Sequence, residues 1–512
     1  MLLSLGLRRS AQLRGDHTAI IDPGRRLTWR QVEGRVARFA AALRGLGVRP
    51  GDRVAVMADN AGWHIEAYFA IPWAGAAIAP VNTRWALPEI VDGLNDCAPR
   101  ALIVDEAHLP LLDGVLAGAP SIGTVIAAGP SLPQGAHDLE ALIARAAPMA
   151  PEPVEPDQLA GIFYTGGTTG RSKGVMLSQR NLYMHSLMMM AEGMFHPDSV
   201  GLHVAPMFHL ADVGTVLGAT MAGGSHVCLP RFEPEATLQA IEAHGVTEVY
   251  LVSTMLRAVL DHPNFDRYDL SSLRGMIYGA SPIAEALLVR ALEKIPGAGF
   301  MQRYGMTETT GFFTLLKPEY QVVGGAKLRS AGQPIHGMDV RIVDEHGEEV
   351  PRGTVGEVAV AGPTVMLGYW NRPEETGRAV RGGRMFTGDL ATMDEDGFVF
   401  VADRLKDMII TGGENVYSGE VENALYRHPV VAQCAVIGVP SERWGEAVHA
   451  VVVPRDGQAP TEAELDAHCR ALIAAYKCPK SYEFRSQPLP LTGAGKVRKY
   501  SLREPYWNKA AQ

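Results

Sequence analysis

The stretch Tyr164-Thr-Gly-Gly-Thr-Thr-Gly-Arg-Ser-Lys-Gly-Val175 decides how the rest of the chain is interpreted. It follows an apolar run, Leu159-Ala-Gly-Ile-Phe163, which is typical of a short buried strand. Glycines let the backbone approach a ligand closely, and the hydroxyls, the backbone N–H groups and Lys173 can surround a polyphosphate. The P-loop of the common NTPases needs Ser or Thr directly after Gly-Lys, whereas Gly174 follows Lys173 here. The loop therefore predicts a phosphate site of another kind.

This loop resembles the ATP-phosphate loop of the adenylate-forming superfamily, which includes acyl-CoA synthetases, peptide-synthetase adenylation domains and firefly-type luciferases. The usual form is Tyr-Thr-Ser-Gly-Thr-Thr-Gly-x-Pro-Lys-Gly, so Gly166 replaces a serine and Ser172 replaces a proline. The resemblance implies that the phosphates of ATP are bound by Thr165, Gly166, Gly167, Thr168, Thr169 and Lys173.

Length and composition indicate a globular enzyme of several domains. The chain of 512 residues is too long for one core, and 47% hydrophobic and 20% charged residues are typical of folded proteins. A net charge of −9 argues against general nucleic-acid binding, which needs a basic surface. Five cysteines without a C-x-x-C pair indicate a reducing compartment and no metal cluster, so we expect a cytoplasmic location.

The sequence contains no targeting signal or transmembrane segment that we recognise. Met1–Arg9 places its charges after a short apolar run, which is the reverse of a signal peptide. The longest apolar stretch, near Phe69–Val81, contains prolines and is too short to span a bilayer. Residues 1–53 hold eleven arginines and four acids. Weak peripheral contact with an anionic membrane is therefore an alternative to a solvated helical face.

Hydrophobic patterning predicts an α/β fold. Thr28-Trp-Arg-Gln31 is a capping box, and apolar residues behind it recur at steps of three and four, which predicts an amphipathic helix that Gly47 ends. A strand at Arg53–Met57, a helix and another strand near Val81 follow. This β-α-β order is typical of a parallel sheet with helices on its faces. We expect a large N-terminal domain of parallel-rich sheets flanked by helices.

The pattern changes in the last third of the chain. Alternating runs such as Asp339–Val343 predict antiparallel hairpins and a small β subdomain. Strands at Ala432–Val439 and Ala447–Val453 and a helix at Thr461–Tyr476 predict a small, mobile α+β domain. The predicted boundaries are 1–403 for the N-terminal domain, about 330–403 for its β subdomain, 404–406 for a hinge and 407–512 for the C-terminal lid domain.

A histidine motif follows the glycine loop. Pro206-Met-Phe-His-Leu-Ala-Asp-Val-Gly214 resembles the family's Pro-x-x-His element, whose histidine lines the acyl pocket near the reacting carboxylate. The resemblance assigns a catalytic role to His209 and places His209 and Gly214 in the acyl pocket. Asp212 is unusual in this apolar stretch. It could meet a polar group of the substrate or point to water, and we prefer the second interpretation.

Two further segments resemble parts of the family's nucleotide site. One is the turn after the strand Leu273–Tyr278, because ligands bind beyond the carboxyl ends of strands. The other is Tyr304-Gly-Met-Thr-Glu308, which follows a predicted strand at Phe300–Gln302. The resemblance implies that the tyrosine stacks on adenine, that the threonine donates to the α-phosphate and that the glutamate holds Mg²⁺. The expected nucleotide contacts are Gly279, Ala280, Ser281, Tyr304, Gly305 and Thr307, with Thr307 and Glu308 as catalytic residues and Glu308 as the metal ligand.

The ribose and hinge motifs come next. Thr387-Gly-Asp-Leu390 offers Asp389, whose carboxylate can accept hydrogen bonds from both ribose hydroxyls. Asp403–Ile410 resembles the hinge between the large and small domains. The resemblance implies that Arg404 is a second ribose contact and that Lys406 is the exposed hinge residue.

The C-terminal segment resembles the coenzyme A side of acid–CoA ligases. Gly412 and Gly413 match the loop that lines the pantetheine tunnel, because glycines let a thin chain pass close to the backbone. Trp444 and Tyr476 match positions near the CoA nucleotide. Some relatives have an arginine where Cys478 stands, so contact with a CoA phosphate would come from other residues, such as Lys477 or Lys480.

One lysine near the end matches the catalytic lysine of the family. In Pro490-Leu-Thr-Gly-Ala-Gly-Lys496 the lysine follows a glycine-rich turn. The resemblance implies that Lys496 swings into the site and bridges the substrate carboxylate and the α-phosphate, for which a compact, flexible charge is suitable. Lys499 is the rival candidate, and Lys496 fits the motif better.

These motifs predict an ATP-dependent acid–CoA ligase that uses ATP, Mg²⁺ and coenzyme A. Its partners would be these small molecules and a carboxylic acid, with a homodimer left open. A medium- or long-chain fatty acid is the first hypothesis, and an aryl or arylpropenoic acid is the second. An amino-acid adenylating enzyme is disfavoured because Leu210 stands where such enzymes have an aspartate. A non-catalytic adenylate-binding protein is disfavoured because Lys496, Glu308 and Asp389 are all present.

Overall fold

The structure is a computed structural model of the chain. It describes residues 1–165, 172–279, 283, 285–411, 414–441, 443–491 and 496–510.

The described helices are distributed over the whole chain. They are α1 Leu3–Arg14, α2 Trp29–Gly45, α3 Gly62–Trp73, α4 Leu87–Cys97, α5 Leu112–Gly118, α6 Leu139–Arg145, α7 Gln179–Ala191, α8 Leu210–Ala222, α9 Pro234–His244, α10 Ser253–Leu260, α11 Glu285–Lys294, α12 Pro373–Ala379, α13 Ser418–Tyr426, α14 Glu462–Arg470 and α15 Lys499–Ala510. Short 3₁₀ turns occur at Glu106–Leu111, Phe265–Arg267, Thr307–Thr309, Pro318–Tyr320 and Ala326–Arg329.

The strands alternate with these helices in the first half of the chain and follow one another in the second. They are β1 Thr18–Asp22, β2 Arg25–Thr28, β3 Arg53–Met57, β4 Ala77–Pro80, β5 Ala101–Asp105, β6 Thr124–Ala128, β7 His137–Asp138, β8 Leu159–Thr165, β9 Lys173–Ser178, β10 Val200–His203, β11 Ser225–Cys228, β12 Glu248–Leu251, β13 Gly275–Gly279, β14 Gly299–Met306, β15 Gly311–Leu316, β16 Gln333–Pro334, β17 Asp339–Val343, β18 Gly356–Ala361, β19 Gly368–Tyr369, β20 Val380–Arg381, β21 Arg384–Met393, β22 Val399–Arg404, β23 Ile409–Thr411, β24 Glu414–Val416, β25 Val431–Ser441, β26 Gly445–Pro454 and β27 Ser481–Phe484.

Two large sheets carry the N-terminal part. One has the order β16-β15-β14-β13-β12-β10-β11-β1-β2 and the other β19-β9-β8-β4-β3-β5-β6-β7. Strands β10 to β14 are parallel to one another in the first sheet, and β3 to β8 are parallel to one another in the second. The predicted α/β fold class is therefore confirmed, because each β-α-β crossover returns the next strand in the same direction.

The predicted capping box is present at the start of α2. Gln31 N–H donates to the Thr28 hydroxyl oxygen over 3.4 Å, and Thr28 N–H donates to Gln31 Oε1 over 2.9 Å. The Trp29 indole N–H reaches the carbonyls of Gly223 and Gly224 at the end of α8. A cap of this kind contributes about 1 kcal/mol to stability. It fixes the start of the helix that packs against α3 in the core.

The glycine-rich loop joins an antiparallel pair of strands. Thr165 at the end of β8 lies opposite Lys173 at the start of β9. The predicted strand at Leu159–Phe163 is therefore two residues longer and has an antiparallel partner. Residues 166–171 lie outside the described part of the chain, so the predictions for Gly166, Gly167, Thr168 and Thr169 are not addressed by it.

The smaller sheets occupy the second half of the chain. One joins β17, β18, β20, β21 and β22 in antiparallel pairs, as the alternating runs predicted. The other joins β23 to β27, and α13, α14 and α15 accompany it. The exact boundaries at 403 and 407 stay predictions.

Four further elements differ from the sequence expectation. β14 continues beyond Gln302 to Met306, so Tyr304 lies on the strand itself. The helix expected to reach Tyr476 ends at Arg470, because turn bonds such as Leu472 N–H to the Cys469 carbonyl bring the chain back toward β26. β27, parallel to β26, and α15 were not predicted. None of the described helices has the length and apolarity needed to cross a membrane.

Candidate active site

A cavity of about 720 Å³ lies where the parallel strands of both large sheets end. Its lining includes Asn60 after β3, Arg84 after β4, Pro206 after β10 and Phe232 after β11. Ligands of parallel sheets bind beyond the carboxyl ends of strands, so this is the expected position for a site. Leu491 and Arg498, from the C-terminal part of the chain, complete the lining. The cavity is thus formed by both parts of the protein.

His209 borders this cavity and begins α8. Its Nδ1 accepts a hydrogen bond from Ala211 N–H over 3.2 Å, which leaves the proton of the neutral ring on Nε2. Burial and the charges of Lys496 and Arg84 lower the pKa of His209 to about 4. The imidazole is therefore neutral near pH 7, and its Nε2–H can donate to an oxygen atom in the cavity.

The two candidate lysines have different surroundings. The charge of Lys496 acts on His209, although Lys496 belongs to the C-terminal segment. Lys499 donates to the Ser418 hydroxyl over 2.6 Å and pairs with Glu422 over 2.7 Å. Burial alone would lower the pKa of Lys499, but Glu422 and Asp403 raise it overall. Lys499 is thus held in a structural ion pair, and Lys496 is the lysine near the cavity.

The residues predicted for adenine and ribose lie together. The Tyr304 hydroxyl donates to Asp389 Oδ2 over 2.8 Å. The ring centres of Tyr304 and Phe313 lie 4.9 Å apart in an edge-to-face contact, which restricts the orientation of the Tyr304 ring. Asp389 on β21 lies opposite Arg404 on β22. This arrangement fits the nucleoside part of ATP. It combines an aromatic face for the base with a carboxylate for the ribose, and the backbone of an arginine lies nearby.

Two backbone segments near Tyr304 pack closely against neighbouring strands. A β-carbon on Gly305 would lie 2.0 Å from the Gly311 carbonyl oxygen, and one on Gly279 would lie 2.2 Å from the Arg303 carbonyl oxygen. Both predicted nucleotide glycines therefore occupy positions where no side chain fits. Ala280 and Ser281 lie outside the described residues.

Glu308 and the loop lysine are joined through Tyr369, which the sequence did not single out. The Tyr369 hydroxyl donates to Glu308 Oε1 over 2.8 Å, and the Lys173 ammonium lies 4.9 Å from the ring centre of Tyr369. Lys173 also forms an ion pair with Glu375. Burial raises the pKa of Tyr369 most, and the negative charge of Glu308 raises it further, so the phenol stays protonated. Thr307 begins the 3₁₀ turn that carries Glu308. The Glu308 carboxylate is a suitable ligand for Mg²⁺, and the Lys173 ammonium is suitable for the polyphosphate that Mg²⁺ accompanies.

The preferred interpretation of Asp212 was wrong. Its side chain is fully buried in the first turn of α8 and its Oδ2 lies 2.7 Å from His203 Nδ1. His203 Nε2 in turn lies 2.9 Å from His226 Nδ1. Burying an acid costs free energy unless polar partners offset it, and here the packing of β10 and β11 supplies them.

Gly214 lies one turn farther along α8 and contacts a buried arginine that sequence reasoning missed. A β-carbon there would be 3.1 Å from Arg303 Nη1 and 3.6 Å from Met189 Sδ. The sequence signal for Arg303 was a charged residue in a strand whose other residues are uncharged.

The predicted CoA residues lie in the C-terminal part. The Trp444 ring has the cations of Arg443 and Lys480 within 4.9 and 5.9 Å of its centre. Tyr476 is 42% exposed. Lys477 pairs with Glu420 over 2.7 Å, whereas Cys478 is fully buried and cannot replace the arginine of relatives.

Lys406, the residue predicted as the hinge, lies at the surface. Lys406 is exposed, and its carbonyl accepts a hydrogen bond from Arg503 over 3.0 Å. Gly412 and Gly413 lie outside the described residues. The roles assigned to the predicted site residues remain predictions.

Comparisons with known proteins agree with this geometry. Residues 7–370 match the family of AMP-binding enzymes, and residues 420–496 match the C-terminal domain of AMP-binding enzymes. A feruloyl-CoA synthase from Amycolatopsis sp is 42% identical, over 97% of this chain and 98% of that protein. The medium/long-chain-fatty-acid–CoA ligase FadD8 from Mycobacterium tuberculosis is 36% identical, over 95% of this chain and 87% of that protein.

A solved structure gives the same result for the fold. The crystal structure of the anthranilate CoA ligase AuaEII with anthranoyl-AMP matches with a TM-score of 0.91 and 28% identity, covering 100% of this chain and 98% of that chain. The chain therefore belongs to the family of AMP-binding enzymes, in its branch of AMP-forming acid–CoA ligases, which use ATP, Mg²⁺ and coenzyme A.

Proposed function

We propose that this acid–CoA ligase activates an arylpropenoic acid. The observation that carries the proposal is the cavity that His209 and several aromatic side chains line, with the charge of Lys496 acting on His209. Phe208, Phe232 and Tyr250 all contribute to that wall. Aromatic faces and edges pack well against a planar substrate ring. The 42% identity to a feruloyl-CoA synthase supports the same substrate class.

In the first half-reaction, a carboxylate oxygen of the acid attacks the α-phosphorus of ATP, and pyrophosphate leaves. Tyr304 and Asp389 would hold the nucleoside, and Lys173 would hold the outer phosphates. Glu308 would hold Mg²⁺, which neutralises charge on the phosphates when it is bound. Lys496 and Thr307 would stabilise the negative charge that builds on the α-phosphate oxygens.

In the second half-reaction, the CoA thiolate attacks the acyl carbon of the adenylate, and AMP leaves. Rotation of the C-terminal domain about Lys406 would withdraw Lys496 and bring the segment with Gly412, Gly413, Trp444 and Tyr476 to the acyl group. Hinged motion of this kind completes one site and removes another. The Arg503 contact with the Lys406 carbonyl would have to break or adapt in that rotation.

Neutral His209 would orient the acid. Its Nε2–H can donate to one carboxylate oxygen, which leaves the other oxygen to attack phosphorus. A protonated imidazole would instead pair with the carboxylate and reduce its nucleophilicity. The low pKa of His209, about 4, therefore fits the proposed role.

Pyrophosphate release over a panel of acids tests the substrate class. We expect ferulic and 4-hydroxycinnamic acids to be activated with higher kcat/KM than octanoic or hexadecanoic acid. The proposal is wrong if only the aliphatic acids are turned over. Product identification by mass spectrometry as the CoA thioester, with AMP, is the control for complete ligation.

A medium- or long-chain fatty acid is the second candidate. The same cavity has aliphatic lining from Val252 and Met255, and FadD8 is 36% identical to this chain. A preference for aliphatic acids in the panel would select this alternative. The proposal also includes a cytoplasmic location, a homodimer and weak membrane contact. The five buried, unpaired cysteine thiols support the cytoplasmic location.

A further inference from the structure

Arg303 brings a positive charge to the back of the cavity wall. It lies on β14 directly before Tyr304 and is 6% exposed. Its Nη2 donates to the Ala211 carbonyl over 2.9 Å, and its guanidinium carbon lies 4.4 Å from the ring centre of Tyr250. Ala211 and Tyr250 both line the cavity. The guanidinium is therefore separated from the cavity only by groups that it already touches.

In the described part of the chain, no carboxylate oxygen lies within 4.0 Å of the guanidinium nitrogens of Arg303. Burial lowers the pKa of Arg303, while Tyr250 and the more distant Asp212 raise it. A buried guanidinium without a carboxylate partner costs free energy. Such groups occur most often where a ligand supplies the missing acceptor.

His185 lies at the same place and has one ring nitrogen without a hydrogen-bond partner among the described residues. It is 2% exposed, and its Nδ1 has no hydrogen-bond partner among the described residues. Burial and the charge of Arg303 lower its pKa to about 3, so its ring is neutral and offers one donor and one acceptor. A β-carbon on Gly214 would lie 3.9 Å from His185 Nε2 and 3.1 Å from Arg303 Nη1. Gly214 therefore brings the backbone of α8 close to both groups with no side chain between them.

The spacing along α8 is suitable for a substrate with a ring. His209 is the N-cap of α8 and Gly214 lies five positions later, which corresponds to about 7.5 Å along the helix axis. A carboxyl group beside His209 would thus place a propenoate arm and a ring along the first turns of α8. The far edge of that ring would approach Arg303.

We propose that Arg303, with His185 and Tyr250, forms the far end of the acyl pocket and binds an oxygen atom at the distal end of the acid, namely the ring oxygen of a hydroxy- or methoxyarylpropenoic acid. This inference rests on the proposed function. The guanidinium donates to this oxygen and gains an acceptor besides the Ala211 carbonyl. A methyl group at the same position offers no acceptor to the buried cation, so the acid that carries it binds poorly.

The test compares two acids of nearly equal shape, 4-hydroxycinnamate and 4-methylcinnamate, by kcat/KM in pyrophosphate release. We expect the wild-type protein to prefer the hydroxylated acid by roughly tenfold or more. Arg303→Met keeps the length of the side chain and removes the donor, so the ratio should fall to near one, and Arg303→Lys should restore part of it. Arg290→Met, at an exposed arginine paired with Asp261, should leave the ratio unchanged.

Gly214→Ala provides a second test in which Arg303 stays intact. The added methyl group should lower kcat/KM for 4-hydroxycinnamate several-fold more than for but-2-enoate, which is too short to reach Arg303. An unchanged hydroxyl preference in Arg303→Met, or equal effects of Gly214→Ala on both acids, overturns the inference while arylpropenoate ligation stands. Turnover of aliphatic acids alone would overturn the proposed function and this inference together.

Discussion

The Tyr304 hydroxyl donates to the Asp389 carboxylate over 2.8 Å, so β14 of the large sheet and β21 of the small sheet meet at one point. Both residues were assigned to one nucleoside from motifs that lie far apart in the chain. Their direct contact brings an aromatic ring and a hydrogen-bond acceptor to the same side of the cleft.

This contact predicts different effects for two substitutions of Tyr304. Tyr304→Phe keeps the ring and loses the hydrogen bond, so we expect a modest rise of roughly tenfold or less in KM for ATP. Tyr304→Ala also loses stacking on the base, which contributes about 1–3 kcal/mol, and should raise the KM much more. Both are measured by pyrophosphate exchange. Equal effects of the two variants would show that the ring does not stack on adenine.

Glu375 predicts a gain of ATP affinity when its charge is removed. It pairs with Lys173, the lysine expected to bind the phosphates, and an incoming phosphate must compete with it. Glu375→Gln should therefore lower the Kd for ATP about two- to tenfold, as expected for the loss of a partly exposed ion pair. Glu374→Gln is the matched control, because Glu374 is exposed and pairs with Arg378 instead. A weaker or unchanged ATP affinity in Glu375→Gln would contradict this role; calorimetric titration is the measurement.

Substitution of Lys496 should affect the rate of catalysis, whereas substitution of Lys499 should affect the stability of the fold. Lys496→Ala should reduce the rate of adenylate formation about a hundredfold or more while ATP still binds, because charge stabilisation in the transition state is lost. Lys499→Ala removes the ion-pair partner of the half-buried Glu422, which should cost about 1–3 kcal/mol of the free energy of unfolding.

Single-turnover formation of the acyl-adenylate and urea unfolding measure these two effects. Lys294→Ala, at an exposed ion pair with Asp266, is the control for both measurements. Full adenylation by Lys496→Ala would remove Lys496 from the mechanism. A normal unfolding free energy in Lys499→Ala would remove the structural role of Lys499.

His64 predicts a loss of stability in mild acid. It is fully buried between Trp63 and Tyr68, and burial lowers its pKa from 6.5 to about 4. Between these two values the unfolded chain binds a proton that the folded protein does not bind. The free energy of unfolding therefore falls as the pH falls from about 6.5 to about 4, by about 3 kcal/mol at most from this residue.

Urea unfolding at pH 7.5 and at pH 5 measures this dependence. His64→Phe removes the titrating group and keeps a ring, so the difference between the two pH values should shrink. His346→Gln, at a highly exposed histidine, should leave the difference unchanged. The same pH dependence in His64→Phe and in the wild type would contradict the assignment.

The sequence by itself determined the fold class, the family and the order of the motifs. Capping boxes, apolar periodicity and glycine-rich turns act over a few residues, so Thr28–Gln31 and Tyr164–Val175 carry their own structural information. The limits of that information appear at β14, which continues through Tyr304, and at α14, which ends at Arg470, because packing against neighbouring strands decides where an element stops.

The tertiary structure alone decided which side chains are buried and which charges meet. The motif favoured Lys496 and left Lys499 as a rival, whereas in the structure the charge of Lys496 acts on His209 and Lys499 pairs with Glu422. Asp212 is buried because His203 comes to it from β10, and Arg303 acquires its place behind the cavity wall from the packing of α8 on β14. The physical reason is that burial and electrostatic partners depend on segments far apart in the chain, whose contacts form only when the sheets and helices pack together.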